Sequence, residues 1–177
     1  MSVGMHRRWK RETVRLAMDG ARSAARVLDL CCGSGDLGFL AEELEAARVT
    51  GADFTLPMLA VARQRRQARR SRSTFVQADA LTLPFPNATF DAVVVGYGLR
   101  NVADLPAALA EMRRVLAPGG RLAILDFGKP DNPVARALYG AYLRMAMPVV
   151  GWLFHGDADA YRYIPESLER YPAQRGV

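Results

Sequence analysis

Cysteine and histidine are scarce in this chain, which contains two of each among its 177 residues. Cys31 and Cys32 are adjacent, and neighbours in sequence do not form an ordinary structural disulfide. Two thiols and two imidazoles are also too few for a convincing zinc site. We therefore expect neither a disulfide framework nor a bound metal, and this cysteine usage favours a reducing compartment.

Lysine is also rare, because Lys10 and Lys129 are the only lysines among the 24 basic residues. We interpret the resulting arginine bias first as genomic composition. The formal net charge of +6 nevertheless attracts anionic partners, such as nucleic acid or a membrane surface. A secretory signal peptide is not predicted, since Arg7, Arg8 and Trp9 come before any apolar run.

Repeats and low-complexity tracts are absent from the sequence, while 50% of the residues are hydrophobic and 24% are charged. This balance is typical of a globular protein, so we predict a single domain over residues 1–177. Short apolar runs predict strands at 26–30, 49–54, 74–77, 90–95 and 121–127. Amphipathic patterns predict helices at 36–46, 56–70 and 104–116, and an aromatic-rich helical stretch at 134–154.

The order of these elements predicts an α/β fold with a five-strand core over about 20–130. Strands that alternate with helices form a parallel sheet through right-handed crossovers, and ligands bind at the carboxyl ends of the strands. Asp104 is expected to cap its helix, and Pro118-Gly119-Gly120 to end it. A helical segment over about 134–172 follows, and we expect it to face the substrate or a membrane.

A glycine-rich loop follows the first strand and contains a literal G-x-G-x-x-G, with Asp53 twenty residues after its first glycine. This pattern favours a dinucleotide, whose pyrophosphate binds the positive end of a helix. However, Asp29 ends the strand and Asp36 begins the helix, and both carboxylates would repel a diphosphate. S-adenosylmethionine (SAM) has no phosphate and carries an ammonium and a sulfonium. We therefore predict SAM as the cofactor and keep the dinucleotide as the less favoured interpretation.

Carboxylates end three successive strands, which is a stronger signal than the loop alone. We expect Asp29 to face the cationic end of SAM, while Gly33 and Gly35 let the backbone approach the methionine and ribose. Asp53 is expected to bind both ribose hydroxyls. The predicted adenine contacts are Phe54, Asp79 and the backbone of Ala80. The alternative is that each aspartate is only a cap or turn residue.

Several segments resemble the quinone-ring C-methyltransferases, which methylate precursors of ubiquinone, menaquinone or phylloquinone. The segments are 6–11 (HRRWKR), 29–37 (DLCCGSGDL), 53–59 (DFTLPML), 98–102 (GLRNV), 114–126 (RVLAPGGRLAILD) and 161–172 (YRYIPESLERYP). Cys-Cys-Gly-Ser-Gly and Tyr-Gly-Leu-Arg-Asn are most similar to the phylloquinone-type enzymes, which act on 2-phytyl-1,4-naphthoquinone. Compared with the family, the chain resembles a core trimmed at both ends, and this leaves the fifth strand as an expected sheet edge.

The resemblance implies a Rossmann-like class I SAM-dependent methyltransferase, with helices on both faces of a mainly parallel sheet. It also implies that cofactor contacts include Ser34 and Gly96, together with Asp53, Asp79 and Ala80. The implied reaction is C-methylation of the ring of a reduced prenylated quinone precursor, of the demethylphylloquinone or demethylmenaquinone type.

Methyl transfer from a sulfonium is an in-line displacement, so the protein mainly aligns the reactants and excludes water. By the resemblance, the nucleophile is a ring carbon beside a hydroxyl, and the site must accept the hydroxyl proton or stabilise the oxyanion. Arg100 is the candidate that holds the oxyanion or orients a water that takes the proton. Tyr97 is the candidate hydrogen-bond donor to the same oxygen, and Asp126 is a candidate base. The alternatives are a structural ion pair, packing, and a turn or cap, respectively. We expect His6 and His155 to be surface or packed residues.

A lipophilic hydroquinone is the expected partner. Residues 137–154 are too short, and too interrupted by Arg144 and Pro148, to span a bilayer. Residues 137–154 are expected to form either an amphipathic helix at a surface or a core helix. The arginines of 63–72 form either a solvated helix face or a surface that attracts anionic lipid headgroups. We expect a cytoplasmic enzyme, or a chloroplast one in a photosynthetic eukaryote, with peripheral membrane contact. Homo-oligomerisation stays open.

The alternative functions are an RNA methyltransferase, another small-molecule methyltransferase and a non-catalytic SAM-binding protein. The basic charge suggests RNA, but the sequence has no Asn-Pro-Pro-Tyr-type motif and no appended RNA domain. We therefore predict no nucleic-acid partner.

Overall fold

The fold was analysed in a computed structural model that describes residues 3–20, 25–46, 48–126, 128, 132, 134, 138, 139 and 141. The chain divides into two compact units, residues 1–125 and residues 126–177. Most of the second unit lies outside the described residues, including most of the predicted helical segment, His155 and the 161–172 motif.

The first unit contains four helices and five strands among its described residues. The helices are α1 (Val3–Met18), α2 (Asp36–Glu43), α3 (Leu56–Arg69) and α4 (Leu105–Val115). The strands are β1 (Arg26–Leu30), β2 (Arg48–Asp53), β3 (Thr74–Gln77), β4 (Phe90–Gly96) and β5 (Leu116–Leu125). The five predicted strands and the three predicted core helices are therefore confirmed, and α1 is an additional helix.

The strands form one parallel sheet in the order β3-β2-β1-β4-β5. β1 and β4 lie at its centre, where Leu28, Val93 and Val94 are fully buried, as expected for strands covered on both faces. The chain moves from β1 toward one edge and from β4 toward the other. Right-handed crossovers therefore place α2 and α3 on one face and α4 on the other. The predicted doubly wound α/β architecture is confirmed.

Helix α1 was not predicted because most of its surface is polar. Val14 and Ala17 are buried and join a core cluster with Leu37, Leu40 and Ala41 of α2. A segment with so narrow an apolar stripe forms a stable helix only when it packs against α2 and the sheet.

Strand β5 begins earlier than predicted. Helix α4 is capped by Asp104, whose carboxylate accepts a hydrogen bond from the Ala107 N–H at 3.0 Å, as predicted. The helix ends at Val115, so Pro118-Gly119-Gly120 lies within β5 rather than at the helix end. The register with β4 shifts there, and Gly119 has φ +79°. A bulge of this kind accommodates proline and glycine at a sheet edge. Within the described residues, no helix is long and apolar enough to cross a membrane.

Candidate functional site

The candidate site lies at the carboxyl ends of β1 and β4, where the strand order reverses. Such a switch point is where open parallel sheets bind ligands. The loops after these two strands touch, because a Cβ atom on Gly98 would lie 2.3 Å from the Cβ atom of Cys31. Cys31 and Tyr97 both have left-handed backbone conformations, with φ of 54° and 59°. Backbone strain in non-glycine residues clusters at functional sites.

The glycine-rich loop after β1 turns sharply into α2. Gly33 and Gly35 have φ of +52° and +84°, which side chains with a Cβ atom rarely adopt. A Cβ atom on Gly35 would also lie 2.9 Å from the Phe75 ring, so the turn has no room for one. The turn from β1 into α2 therefore requires glycine at both positions.

Asp53 ends β2 and is fixed by two backbone groups. Its Oδ2 accepts a hydrogen bond from the Gly33 N–H at 2.7 Å, and its Oδ1 accepts one from the Thr55 N–H at 2.8 Å. A carboxylate oxygen can accept two hydrogen bonds, so each oxygen of Asp53 can still accept one more, from one hydroxyl of a ribose diol. The side chain is half-buried, and its orientation is set before any ligand arrives.

Asp29 is 1% exposed, and its Oδ2 accepts the Gly38 N–H of α2 at 2.7 Å. Burial raises the pKa of this carboxyl to about 7, although the Gly38 hydrogen bond opposes the shift. Its predicted contact with the cationic end of SAM stays a prediction. Its observed contact joins the end of β1 to the first turn of α2.

Asp36, at the start of α2, makes two ion pairs. Lys10 Nζ lies 2.6 Å from its Oδ2, and Arg65 Nη2 lies 2.7 Å from its Oδ1. Burial would raise the pKa of Asp36, but the hydrogen bonds from Lys10 and Arg65 outweigh it and lower the pKa. Because α1 and α3 each supply a cation to Asp36, its negative charge is largely compensated in the fold, and the predicted repulsion of a diphosphate by this carboxylate is weaker than expected.

Arg65 also holds the loop itself. Its Nη1 donates to the carbonyl oxygen of Ser34 at 2.8 Å and to the Ser34 hydroxyl at 2.7 Å. The predicted cofactor residues are thus held in place by Lys10, Arg65 and Thr55. The sequence did not predict this supporting role for any of the three. The HRRWKR segment and the arginine-rich helix were noticed in the sequence, but neither indicates which carboxylate its cations reach.

The remaining predicted cofactor residues also lie at the carboxyl ends of strands in the sheet. Phe54 follows Asp53 and is 71% exposed, so its ring face is free to pack on a base. Asp79 follows β3, and its Oδ1 accepts the Leu81 N–H at 2.9 Å, which leaves the side chain exposed beside Ala80. Gly96 ends β4, where a Cβ atom would lie 2.8 Å from Leu37 Cδ1.

The predicted catalytic residues occupy two places in the chain. Tyr97 follows β4 directly, and its ring stacks on His6 of α1 at a centroid distance of 5.1 Å. Arg100 is half-buried in a short 3-10 helix, Leu99–Asn101. Asp126 is half-buried and is the first residue of the second unit.

No group of acidic, histidine or cysteine side chains in the described parts of the chain could hold a metal ion. The pKa of the buried Cys32 thiol is raised, mainly by burial and also by Asp29 and Asp53, which keeps it protonated.

The doubly wound sheet, the glycine turn and the acidic end of β2 define a class I SAM-dependent methyltransferase. The ubiE/COQ5 methyltransferase family matches residues 1–177, and the chain belongs to this family. The resemblance noted in the sequence is thereby confirmed.

Similar proteins agree with this assignment. The demethylmenaquinone methyltransferase of Thermus thermophilus is 47% identical over 100% of this chain and 80% of its own length. The ubiquinone/menaquinone biosynthesis C-methyltransferase UbiE of Shewanella piezotolerans is 44% identical over 98% of this chain and 70% of its own. An S-adenosylmethionine dependent methyltransferase structure from Mesorhizobium loti is 28% identical with a TM-score of 0.55, and the match covers 64% of this chain and 50% of that one.

The donor set of the site fits SAM. Asp53 presents two oriented acceptors, which suit a ribose diol, and the half-buried Gly33 leaves backbone that a methionine moiety can approach. When bound, SAM supplies an electrophilic methyl group on a sulfonium. A methyltransferase of this class then has to orient the acceptor, exclude water and move a proton.

Proposed function

We propose that this enzyme methylates a ring carbon of a reduced, prenylated quinone precursor of the demethylmenaquinone type, with SAM as the methyl donor. The observation that carries the proposal is the 47% identity to a demethylmenaquinone methyltransferase over the whole chain. The site supports it, because Tyr97 and Arg100 lie in the segment after β4, at the edge of the sheet where Asp53 ends β2.

The proposed roles follow from the chemistry of an aromatic carbon nucleophile. Deprotonation of a ring hydroxyl increases the electron density at the neighbouring carbon. Arg100 stabilises the developing aryloxide with its planar, permanently charged guanidinium, and Tyr97 donates a hydrogen bond to the same oxygen. Asp29, Gly33, Ser34, Gly35, Asp53, Phe54, Asp79, Ala80 and Gly96 make up the proposed cofactor surface.

Peripheral membrane contact belongs to the same proposal. Prenylated quinones reside in membranes, and large apolar side chains are exposed near the start of α3. Phe54 is 71% exposed, Leu56 is 53% exposed and Val61 is 42% exposed, on a helix that also carries exposed arginines. Amphipathic surfaces of this composition bind anionic interfaces. Co-sedimentation with anionic and zwitterionic vesicles tests this part: we expect binding to the anionic ones.

The decisive experiment is a methyl-transfer assay with labelled SAM and a panel of demethylated quinols. The panel contains a naphthoquinol with a short prenyl tail, the phytyl naphthoquinol and a benzoquinol, each alongside its oxidised form. We expect methylation of the prenyl naphthoquinol and none of the oxidised quinones, because an oxidised ring is not a nucleophile. Preference for the phytyl compound would support the phylloquinone-type similarity. Methyl transfer to added RNA, or SAM binding without transfer to any quinol, would contradict the proposal.

A further inference from the structure

His6 lies where the helix α1 meets the segment after β4. Its imidazole stacks on the Tyr97 ring at a centroid distance of 5.1 Å and an interplanar angle of 19°. Trp9, on the same helix, lies 6.4 Å from it, ring centroid to ring centroid. The side chain is half-buried, so it is sheltered but reachable.

The position of His6 is fixed by a second contact one helical turn further along α1. Lys10 Nζ lies 2.6 Å from Asp36 Oδ2, at the start of α2. α1 is therefore attached both to the glycine-rich loop and to Tyr97. His6 itself lies beside Tyr97, the residue proposed to donate a hydrogen bond to the aryl oxygen.

Several other groups of the candidate site are poorly suited to accept a proton from a ligand. An arginine guanidinium is a cation, and a tyrosine phenol is ordinarily protonated at neutral pH. Asp29 is 1% exposed and already accepts the Gly38 N–H. Asp36 is neutralised by two cations, and Asp53 is engaged by two backbone N–H groups and assigned to the ribose. An imidazole is the side chain whose ordinary pKa suits proton transfer near neutral pH.

The charge state of His6 agrees with such a role. Burial lowers the pKa of the imidazole below 6.5, and the positive charge of Lys10 lowers it further, while Asp36 opposes the shift. Among the described residues, the charged groups that act on the imidazole are Lys10 of α1 and Asp36 of α2, and the Tyr97 ring, which follows β4, stacks on it. The imidazole is thus neutral at physiological pH and able to take up a proton.

We propose that His6 is the proton acceptor of this methyltransferase, receiving the proton of the quinol hydroxyl beside the methylated ring carbon. The inference rests on the proposed function. It assigns a catalytic residue on α1, outside the segments that follow the strands of the sheet.

The proton and electron balance is complete without another reagent. The hydroxyl O–H bond breaks and its proton passes to His6. The electron pair moves into the ring, a carbon–carbon bond to the methyl group forms, and the carbon–sulfur bond breaks with its electrons going to sulfur. The methylated carbon then loses its hydrogen as a proton, the ring oxygen is reprotonated and the ring becomes aromatic again. One proton is released to solvent in each turnover.

The test uses the full chain with His6→Phe, His6→Ala and the control Trp9→Phe. Phenylalanine keeps a ring to stack on Tyr97 but cannot accept a proton. We expect His6→Phe to keep its melting temperature and SAM affinity while kcat falls about a hundredfold, the lower end of the usual contribution of a general base. Trp9→Phe is expected to keep kcat within about twofold of the parent, because packing alone is altered.

Two further measurements separate proton transfer from packing. The kcat/KM of the parent chain should rise with pH through an inflection below 6.5, because kcat/KM reports the ionisation of the free enzyme, and this inflection should be missing in His6→Phe. Added imidazole should restore turnover to His6→Ala and leave Trp9→Phe unchanged.

Full turnover in folded His6→Phe, or an unchanged pH inflection, would overturn the inference and favour Asp126 as the base. Should His6→Phe fail to fold, failure of imidazole to rescue His6→Ala would overturn it equally. An inactive parent chain across the quinol panel would instead refute the proposed function.

Discussion

Replacing Asp53 with asparagine should weaken SAM binding strongly while leaving the fold in place. The parent carboxylate accepts the Gly33 N–H at 2.7 Å and the Thr55 N–H at 2.8 Å, one on each oxygen. An amide has one oxygen, so Asp53→Asn leaves one of these N–H groups without its acceptor. It also removes one of the two acceptors proposed for the ribose diol.

The magnitude follows from the kind of bond that is lost. Hydrogen bonds to a charged group contribute about 1.5–3 kcal/mol each, so loss of one ribose contact corresponds to a roughly tenfold to hundredfold weaker SAM affinity. Displacement of Gly33 adds to the loss, because the glycine turn is anchored to the same carboxylate. Titration calorimetry with SAM measures the affinity, and thermal unfolding shows whether the variant is folded.

Asp91→Asn is the matched control. Asp91 also accepts a backbone N–H, that of Arg26 at 2.8 Å, and it forms an ion pair with the Arg26 side chain. It lies near the start of β4, at the opposite end of the sheet from Asp53. We expect Asp91→Asn to lower the melting temperature with SAM affinity unchanged. Equal SAM affinity in Asp53→Asn and the parent would refute the assignment of Asp53 to the ribose.

Further predictions concern the transition state, a buried acid and the contact between the two loops. Arg100→Ala should lower turnover by about tenfold to a thousandfold, and Arg100→Lys should lower it less, while both variants keep a SAM affinity near the parent value. A parallel loss of stability and SAM binding would instead indicate that Arg100 forms a structural ion pair. The pKa of Asp29 is about 7 in the fold and near 4 in an unfolded chain, so the native state holds the proton more tightly. The stabilisation that comes from the protonated Asp29 carboxyl is therefore fully present below about pH 4 and is lost as the pH rises to about 7, so the free energy of unfolding decreases over this range. Asp29→Asn should remove this part of the pH dependence, measured by urea unfolding between about pH 4 and 8, and an unchanged slope would contradict the shift. Gly98→Ala places a Cβ atom 2.3 Å from that of Cys31, and should cost about 1–3 kcal/mol of stability in denaturant unfolding. Adding Cys31→Gly should restore most of it, and no gain in the double variant would show that the clash lies elsewhere.

Elements with a local signal could be predicted from the amino-acid sequence alone. Short apolar runs define the five strands, and Asp104 identifies the start of α4, because a cap depends on residues three positions apart. Parallel strands present their carboxyl ends at one edge, so an acidic residue at the end of β2 could be assigned to that edge before any coordinates were known. The acidic residues at the ends of the strands predicted SAM as the cofactor, and the family motifs agreed with that prediction.

The balance of charges in the site, by contrast, depends on contacts between residues that are far apart in the sequence. Lys10 reaches Asp36 across 26 positions, and Arg65 reaches Ser34 across 31. Helical and strand periodicity relates residues only a few positions apart, so it cannot predict contacts over these separations. Helix α1 shows the same limit, since its narrow apolar stripe becomes a helix by packing on α2. The contact between His6 and Tyr97 exists because that packing carries α1 over the end of β4, and no local pattern determines where a helix docks.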